Sequence, residues 1–428
     1  MKKKTLALLL ALVMVFALAA CGSDSDSGGA ATTPSDNAVT TTPDATPDDA
    51  NEPAELTGEP IKIGHICDLT GAEALAGQEA KRSLEFAVEY LHGIAGRPVE
   101  IVVADALGTT DGAVDAARKM VEEDGVIAVF GPIQAGQKTA VAEYTKQAEV
   151  PLFMYSGAPA YLFYDNPWLI GVGGANPQMT VMADYVYNEL GYRNVHILTM
   201  DNIGFKTFTD DFTTVFTALG GSIVSAQYAP FVGTDWVSYL SNMGPADAIM
   251  AWTTGSNAIS LWQTWYDMGM NETLPIAGVM QSAFTEYYVL EALEDMDPAY
   301  AEAVLGTYSV CAYSYSVDSP ENQAFVEAWQ AEFGAVPATS LPGQVYESYQ
   351  LLKAAIESID GETESSALLD AIMACDITGP CGRLYFSGTG AAVRDVYIAR
   401  CVRLEDGSYN NEIVKTYENV PFNGLLDD

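Results

Sequence analysis

The histidines and cysteines of this 428-residue chain are where nucleophilic or metal chemistry would be sought first. There are three histidines. His65 and His196 fall in strand-like runs and His92 at a helix end, so each reads as a core or surface side chain rather than a ligand. No His-x-x-x-His, Cys-x-x-Cys or Gly-x-Ser-x-Gly spacing occurs, which removes the usual zinc and serine-nucleophile arrangements. Cys375 and Cys381 lie close in sequence but lack the second pair that a structural zinc site needs. They flank Gly379-Pro380, so they read either as a small disulfide loop or as reduced thiols. Gly171-Val172-Gly173-Gly174 follows a strand-like run without the spacing of a dinucleotide fingerprint. Carboxylates are abundant, yet no pair stands out for acid–base work. The expectation is a chain that is not an enzyme and takes no cofactor and no metal, with a secreted hydrolase as the enzymatic alternative.

Charge narrows the partners. Nineteen Lys and Arg stand against 57 Asp and Glu, a net charge of −38. Nucleic acid is excluded, because phosphate contacts need Lys/Arg surfaces. Anionic headgroups would repel the same surface. Acidity on this scale serves solubility and marks no particular site. With 49% hydrophobic residues, the chain can build cores for two domains.

The elements that would position a site alternate regularly. Strands are expected at Ile61–Cys67, Val99–Ala104, Ile127–Phe130 and Pro151–Tyr155. Helices are expected between them, at Gln78–His92, Gly112–Glu123 and Gln137–Ala148. A second set follows, with strands at Val195–Met200, Ser222–Tyr228, Ala248–Trp252 and Ile276–Met280. Its helices are Met179–Leu190, Phe208–Leu219, Trp236–Asn242 and Ala258–Met268. Val304–Tyr315 reads as a strand, then come helices at Glu321–Phe333, Gln344–Ile359 and Ser365–Cys375, and closing strands at Leu384–Ser387 and Val396–Arg403. Short apolar runs alternating with amphipathic helices make βαβ units and parallel sheets. The fold class is therefore α/β, with two doubly wound parallel-sheet lobes. Gly-, Ser- and Thr-rich loops follow the strands, where ligands bind in open sheets.

The N-terminus carries its own signal. Lys2, Lys3 and Lys4 precede an apolar run from Leu6 to Ala20, and Leu18-Ala19-Ala20-Cys21 resembles the lipobox of bacterial lipoproteins. The run is short for a membrane-spanning helix, which needs roughly 20 apolar residues. The resemblance implies that residues 1–20 are a signal peptide, that Cys21 is the lipid-attachment site, and that the protein sits on the extracytoplasmic face of the membrane. Residues 21–60 read as an acidic tether: after Cys21 they hold nine carboxylates and no Lys or Arg.

Residues 60–400 resemble the solute-binding proteins of ABC importers, of the Leu/Ile/Val-binding type. Ile61-Lys62-Ile63-Gly64 with Leu69-Thr70-Gly71 and Gly77 is similar to the family's opening strand and ligand loop. Phe130-Gly131-Pro132, Val150-Pro151-Leu152 with Ser156, Tyr346-Glu347-Ser348-Tyr349, and Gly379-Pro380 through Tyr385-Phe386-Ser387-Gly388 continue the likeness in order. The resemblance implies a type I clamp: two lobes joined by three crossing segments, here near Gly174–Gln178, Tyr308–Asp318 and Tyr385–Asp395. Lobe 1 would be 61–176 plus 313–385, and lobe 2 would be 177–312 plus 386–428. Its implied partners are a small-molecule ligand and an ABC permease with its ATPase. The clamp would be a monomer, held at the membrane by its lipid alone. A ligand-sensing partner of a membrane receptor is the alternative.

The same resemblance places the ligand's carboxylate against Gln134, Ala135, Gly136, Ser156, Gly157 and Ala158, with Ala135 replacing the usual Ser. In the second lobe Ile203 precedes Gly204, where amino-acid binders carry Tyr. Met280 and Gln281 stand where they carry the acid that pairs with an ammonium. Asp201 is expected to cap the following turn and Glu286 to be a solvated helix residue. What remains is soft and aromatic: Tyr155, Phe205, Trp252 and Met280, with Thr253, Thr254 and Gln281 as polar handles; Trp252 reads equally as a core residue. Such a pocket suits a small apolar or aromatic carboxylate, or an uncharged relative, better than a free amino acid.

Overall fold

The computed structural model describes residues 55–71, 73–158, 161–173, 176–230, 233–253, 255–280 and 285–425. Its first sheet is formed by β1 (Ile61–Cys67), β2 (Val99–Asp105), β3 (Val129–Phe130), β4 (Leu152–Met154) and β5 (Leu169–Gly171), all parallel, in the order β2-β1-β3-β4-β5. Its strands are largely apolar, as a sheet covered on both faces requires, although Lys62, His65, Glu100 and Asp105 interrupt β1 and β2. The period of two then sorts neighbours to opposite cores. Val129 and Leu152 enter one cluster with helices α2 (Thr110–Lys119), α3 (Ala135–Ala148) and α4 (Tyr161–Tyr164). Phe130 and Phe153 enter the other with α1 (Ala74–Tyr90) and three later helices, Pro320–Phe333, Leu341–Ser358 and Ser365–Ala374.

The second sheet contains β6 (Asn194–Met200), β7 (Ser222–Ala229), β8 (Ala248–Trp252), β9 (Ile276–Met280) and β10 (Tyr308–Cys311), parallel to one another. Antiparallel strands β11 (Asp376–Gly379), β12 (Gly382–Phe386), β13 (Ala392–Arg403) and β14 (Tyr409–Val420) extend it. The path runs β11-β12-β13-β10-β9-β8-β6-β7, with β14 on β13. Helices α5 (Asn176–Asn188), α6 (Ile203–Ala218), α7 (Trp236–Leu240), α8 (Gly255–Asp267), α9 (Tyr287–Met296) and α10 (Pro298–Val304) surround it. The three later helices on the first sheet are α11 (Pro320–Phe333), α12 (Leu341–Ser358) and α13 (Ser365–Ala374). Strand order reverses direction between β1 and β3 in the first sheet and between β6 and β8 in the second. These are the switch points at which open α/β sheets bind ligands.

The chain passes between the sheets after β5, after β10 and after α13. One buried side chain ties these passages together. Arg394, on β13, donates to the Val172 carbonyl, to the Ala312 carbonyl at 3.1 Å and to the Cys381 carbonyl at 3.2 Å. Its charge is met by Glu347 on α12 at 3.3 Å, with both side chains fully buried.

One expectation needs correction, and one of two open alternatives does not hold. The strand expected over Val304–Tyr315 is only Tyr308–Cys311, because α9 and α10 occupy the segment before it. The Asp297-Pro298 start of α10 was the missed signal: Asp297 accepts from the Ala299 N–H at 2.9 Å and Pro298 opens the helix. The disulfide between Cys375 and Cys381 is absent, and both are free thiols. Cys375 turns back to the Ala371 carbonyl of α13. Cys381 lies in the turn of the β11–β12 hairpin, whose register sets Asp376 against Tyr385, so the two cysteines stand at opposite ends of a strand pair.

Cys21, residues 1–20 and 22–54 of the tether lie outside the described residues, as do Thr254, Gln281 and part of the first crossing. Among the described residues no helix is long and apolar enough to cross a membrane, and no group of three His, Cys, Asp or Glu is arranged for a metal.

Candidate functional site

Loops after β1, β2 and β3 converge on one carboxylate. Asp68 is buried and accepts from the Gly108 N–H at 2.9 Å, from Gln137 Nε2 at 3.0 Å and from Gln134 Nε2 at 2.7 Å. The helices can come this close because glycine stands at the contacts. A Cβ on Gly77 would lie 1.9 Å from the Asp68 carbonyl oxygen, and one on Gly131 (φ +81°) 2.2 Å from that of Ile66. Gln134 spends its side chain on Asp68 and caps nothing, so the first N–H groups of α3 have no side-chain partner at Ala135 and Gly136. Gly136 is exposed, and a Cβ there would meet only Thr110 Oγ1 at 3.6 Å. That end of α3 is open to an anion.

The loop after β4 faces the same helix. Ser156 Oγ is buried without a hydrogen-bond partner among the described residues. Ala158 is buried, and the Gly157 carbonyl accepts from Lys138 Nζ at 2.5 Å. Lys138 was not singled out from the sequence. It is 3% exposed, and burial alone pushes its pKa down from 10.5 to about 7. Among the described residues its charge meets no carboxylate, in a chain with 57 of them. A cation left in this condition is costly unless a ligand completes it. The signal was available: Lys138, Val141, Ala142 and Thr145 fall on one helix face, and all four are buried. Tyr155, by contrast, belongs to the core, its hydroxyl 3.1 Å from Nε2 of the buried His65. His196 is satisfied by Ser225 Oγ and the Gly244 carbonyl.

In the second sheet the cap of α6 falls on Asn202, whose Oδ1 accepts from the Phe205 N–H at 2.8 Å, and not on Asp201 as expected. Asp201 is exposed and pairs with Lys206 at 2.5 Å. Ile203 is 63% exposed at the helix start, while Phe205 is buried. Trp252 is wholly buried, with Nε1 on the Phe205 carbonyl at 3.3 Å and its ring against Phe212, which makes it a core residue here. Thr253 Oγ1 is buried with no hydrogen-bond partner among the described residues, and Met280 is half-buried at the end of β9. The first-lobe candidates thus gather around α3 and the β4 loop. The second-lobe candidates stand at the ends of β6, β8 and β9.

Glu286 departs most from expectation. It is 2% exposed, at the start of α9. Burial, reinforced by Glu79 on α1, pushes its carboxyl well above the usual range against one hydrogen bond from the Ser340 N–H. The residue links the two sheets' loops: Glu79 also accepts from Thr339 Oγ1 at 2.8 Å, beside Ser340. Val289, Leu290 and Leu293 are the buried face of α9, and Glu286 precedes them at three, four and seven residues. That spacing was the missed sign that it points inward.

A model of the periplasmic binding protein family matches residues 60–408. The chain is 22% identical over 372 residues to Leu/Ile/Val-binding protein homolog 6 of Brucella melitensis, covering 85% of this chain and 93% of that one. Its fold is similar to an ABC transporter substrate-binding protein from Sphaerobacter thermophilus, at TM-score 0.78 and 29% identity, over 84% and 98% of the two chains. It is also similar to a solute-binding protein of an ABC transporter from Rhodopseudomonas palustris HaA2, solved in complex with p-hydroxybenzoic acid. There the TM-score is 0.77 and the identity 24%, over 86% and 100% of the chains.

Proposed function

The chain belongs to the periplasmic binding protein family, and from that premise we propose that it captures a small apolar or aromatic carboxylate between two lobes and hands it to an ABC importer. As a solute-binding component of ABC transport it is not an enzyme, and its family works outside the cytoplasmic membrane. In our reading Cys21 carries the lipid, residues 21–60 are the tether, and the lobes are 61–176 plus 313–385 and 177–312 plus 386–428. The clamp works as a monomer, its partners a permease and ATPase.

One observation carries the ligand class: Lys138 is a buried amine with no acid to answer it among the described residues, donating to the Gly157 carbonyl within the loops that would meet the ligand. A carboxylate seated at the α3 N-terminus would gain its N–H groups, the Ser156 hydroxyl and this ammonium together. Ile203 and Met280 supply apolar surface opposite. The Rhodopseudomonas palustris relative, solved with p-hydroxybenzoic acid, is consistent with that chemistry.

A second reading, a free branched-chain amino acid, draws on the name of the Brucella relative and on Glu286 as a buried carboxyl. The two are separated by titrating the purified protein with benzoate, 4-hydroxybenzoate, leucine, isoleucine and valine in a thermal-shift series. A ligand at 100 times its dissociation constant adds about 2.7 kcal/mol, a readily seen shift. Response to the aromatic acids supports the carboxylate reading. Response to the amino acids alone refutes it.

A further inference from the structure

A cavity of about 160 Å3 lies at the far end of the loop that follows β9. Its lining is largely apolar, with the Ala335–Ala338 run on one side; the polar residues in it include Thr285 and Glu286 ahead of α9, Tyr315 on the second crossing, Thr339 on the linker from α11 to α12, and Asn410 and Asn411 at the start of β14. None of Gln134–Gly136, Ser156–Ala158, Ile203–Phe205, Trp252 or Met280 contributes to it.

The unpaired polar atoms of the lining are all oxygens. Thr285 Oγ1, Glu286 Oε1, Asn410 Oδ1 and Asn411 Oδ1 are all buried with no hydrogen-bond partner among the described residues. Thr285 is wholly buried and Asn411 is 8% exposed. The amide of Asn411 is oriented by its Nδ2, which donates to the Thr285 carbonyl at 2.7 Å, so its oxygen is the end left over. The groups whose titration responds to Glu286 are Tyr288 on α9 and Cys311 on β10, and the charge that acts on Glu286 is the Glu79 carboxylate on α1. Among the described residues no cation acts on Glu286 itself, and the nearby Arg82 is engaged by Glu79 at 3.0 Å. Buried acceptor oxygens without donors are expensive, and one carboxylate among amide and hydroxyl oxygens is the donor set of a hard cation. Once the Glu286 carboxyl, held well above the usual range by burial, loses its proton, its single negative charge is balanced by a single positive one.

We propose that this cavity is a second binding site, for a small monovalent cation of the alkali or ammonium type, distinct from the solute site. The α11–α12 linker belongs to elements packed on the first sheet, and α9 packs on the second. An occupant touching both favours the arrangement in which they meet, and so assists closure. Because a proton competes for the Glu286 carboxyl, cation affinity rises with pH.

The test is a thermal-shift series on the purified protein at constant ionic strength, replacing N-methylglucamine chloride by sodium, potassium or ammonium chloride, at acidic and at mildly alkaline pH. The expected result is a rise of about 2 °C or more with at least one small cation, larger at the higher pH and lost in Glu286→Gln. Asn410→Ala, which removes one acceptor and leaves the carboxyl, should weaken the same response and serves if Glu286→Gln does not fold. Equal melting in all four salts overturns the proposal, as does an undiminished response in both variants. Loss of amino-acid binding in Glu286→Gln without a cation response would assign Glu286 to the solute site and also overturn it.

Discussion

Replacing Lys138 by Met should make the protein more stable and a poorer binder at once. Burial holds the Lys138 pKa at about 7 where an exposed lysine titrates at 10.5. At neutral pH that difference corresponds to about 5 kcal/mol of folding free energy, taken as a ceiling. Met has similar length and adapts to irregular apolar surroundings, so it removes the charge without opening a large cavity. It also removes the bond to the Gly157 carbonyl, which returns about 1–3 kcal/mol. The net expectation is a gain of about 2–4 kcal/mol at pH 7. The pH profile carries the sign. Between about 7 and 10.5 the native state binds fewer protons than the unfolded one. Wild-type stability therefore rises with pH through that window, and Lys138→Met should lose the slope. Urea unfolding across the window measures both effects. Calorimetric titration with 4-hydroxybenzoate should show affinity reduced by about 10- to 150-fold, the loss of one charge-assisted hydrogen bond of about 1.5–3 kcal/mol. A variant that is less stable at neutral pH and binds the acid as well as wild type would refute the reasoning, because Lys138 would then be only a structural prop.

Arg394→Met should destabilise by about 3–5 kcal/mol in urea unfolding, since it strands the buried Glu347 and frees the Val172, Ala312 and Cys381 carbonyls; adding Glu347→Leu should recover part of the loss. Asn202→Ala should cost about 1 kcal/mol by removing the α6 cap, whereas Asp201→Ala should leave the unfolding midpoint unchanged. Thiol titration of denatured, unreduced protein should find Cys67, Cys311, Cys375, Cys381 and Cys401 all reactive. Fewer reactive thiols there would mean a disulfide where the structure has free cysteines.

The α/β architecture was legible because its signals are local. Ala248–Trp252 and Ile276–Met280 are apolar five-residue runs, and both are strands with those bounds. Helix starts were harder: α1 begins at Ala74 and α6 at Ile203, each several residues before its apolar periodicity is established. The turns that launch them are polar, and tertiary contacts rather than a repeating pattern hold them. The family resemblance located the loops that follow the strands, but a loop's address does not say where each side chain points. Trp252 stands at the end of β8 and turns into the core, while Ile203 at the start of α6 stays exposed.

The sequence by itself determined two parallel-sheet lobes, an acidic surface, and the loops at which a ligand would be met, because hydrophobic period and charge count act over a few residues or over the whole chain. Which ionisable groups are stripped of water was decided only by tertiary structure. Lys138 and Glu286 are ordinary helix residues in sequence. Each loses its water only in the fold, Lys138 where its helix packs against the loop after β4 and Glu286 where α9 comes up to Glu79 on α1. Arg394 likewise holds three carbonyls from positions 172, 312 and 381, a contact that no local spacing announces. Desolvation depends on everything that surrounds a group, and that surrounding exists only in the folded chain.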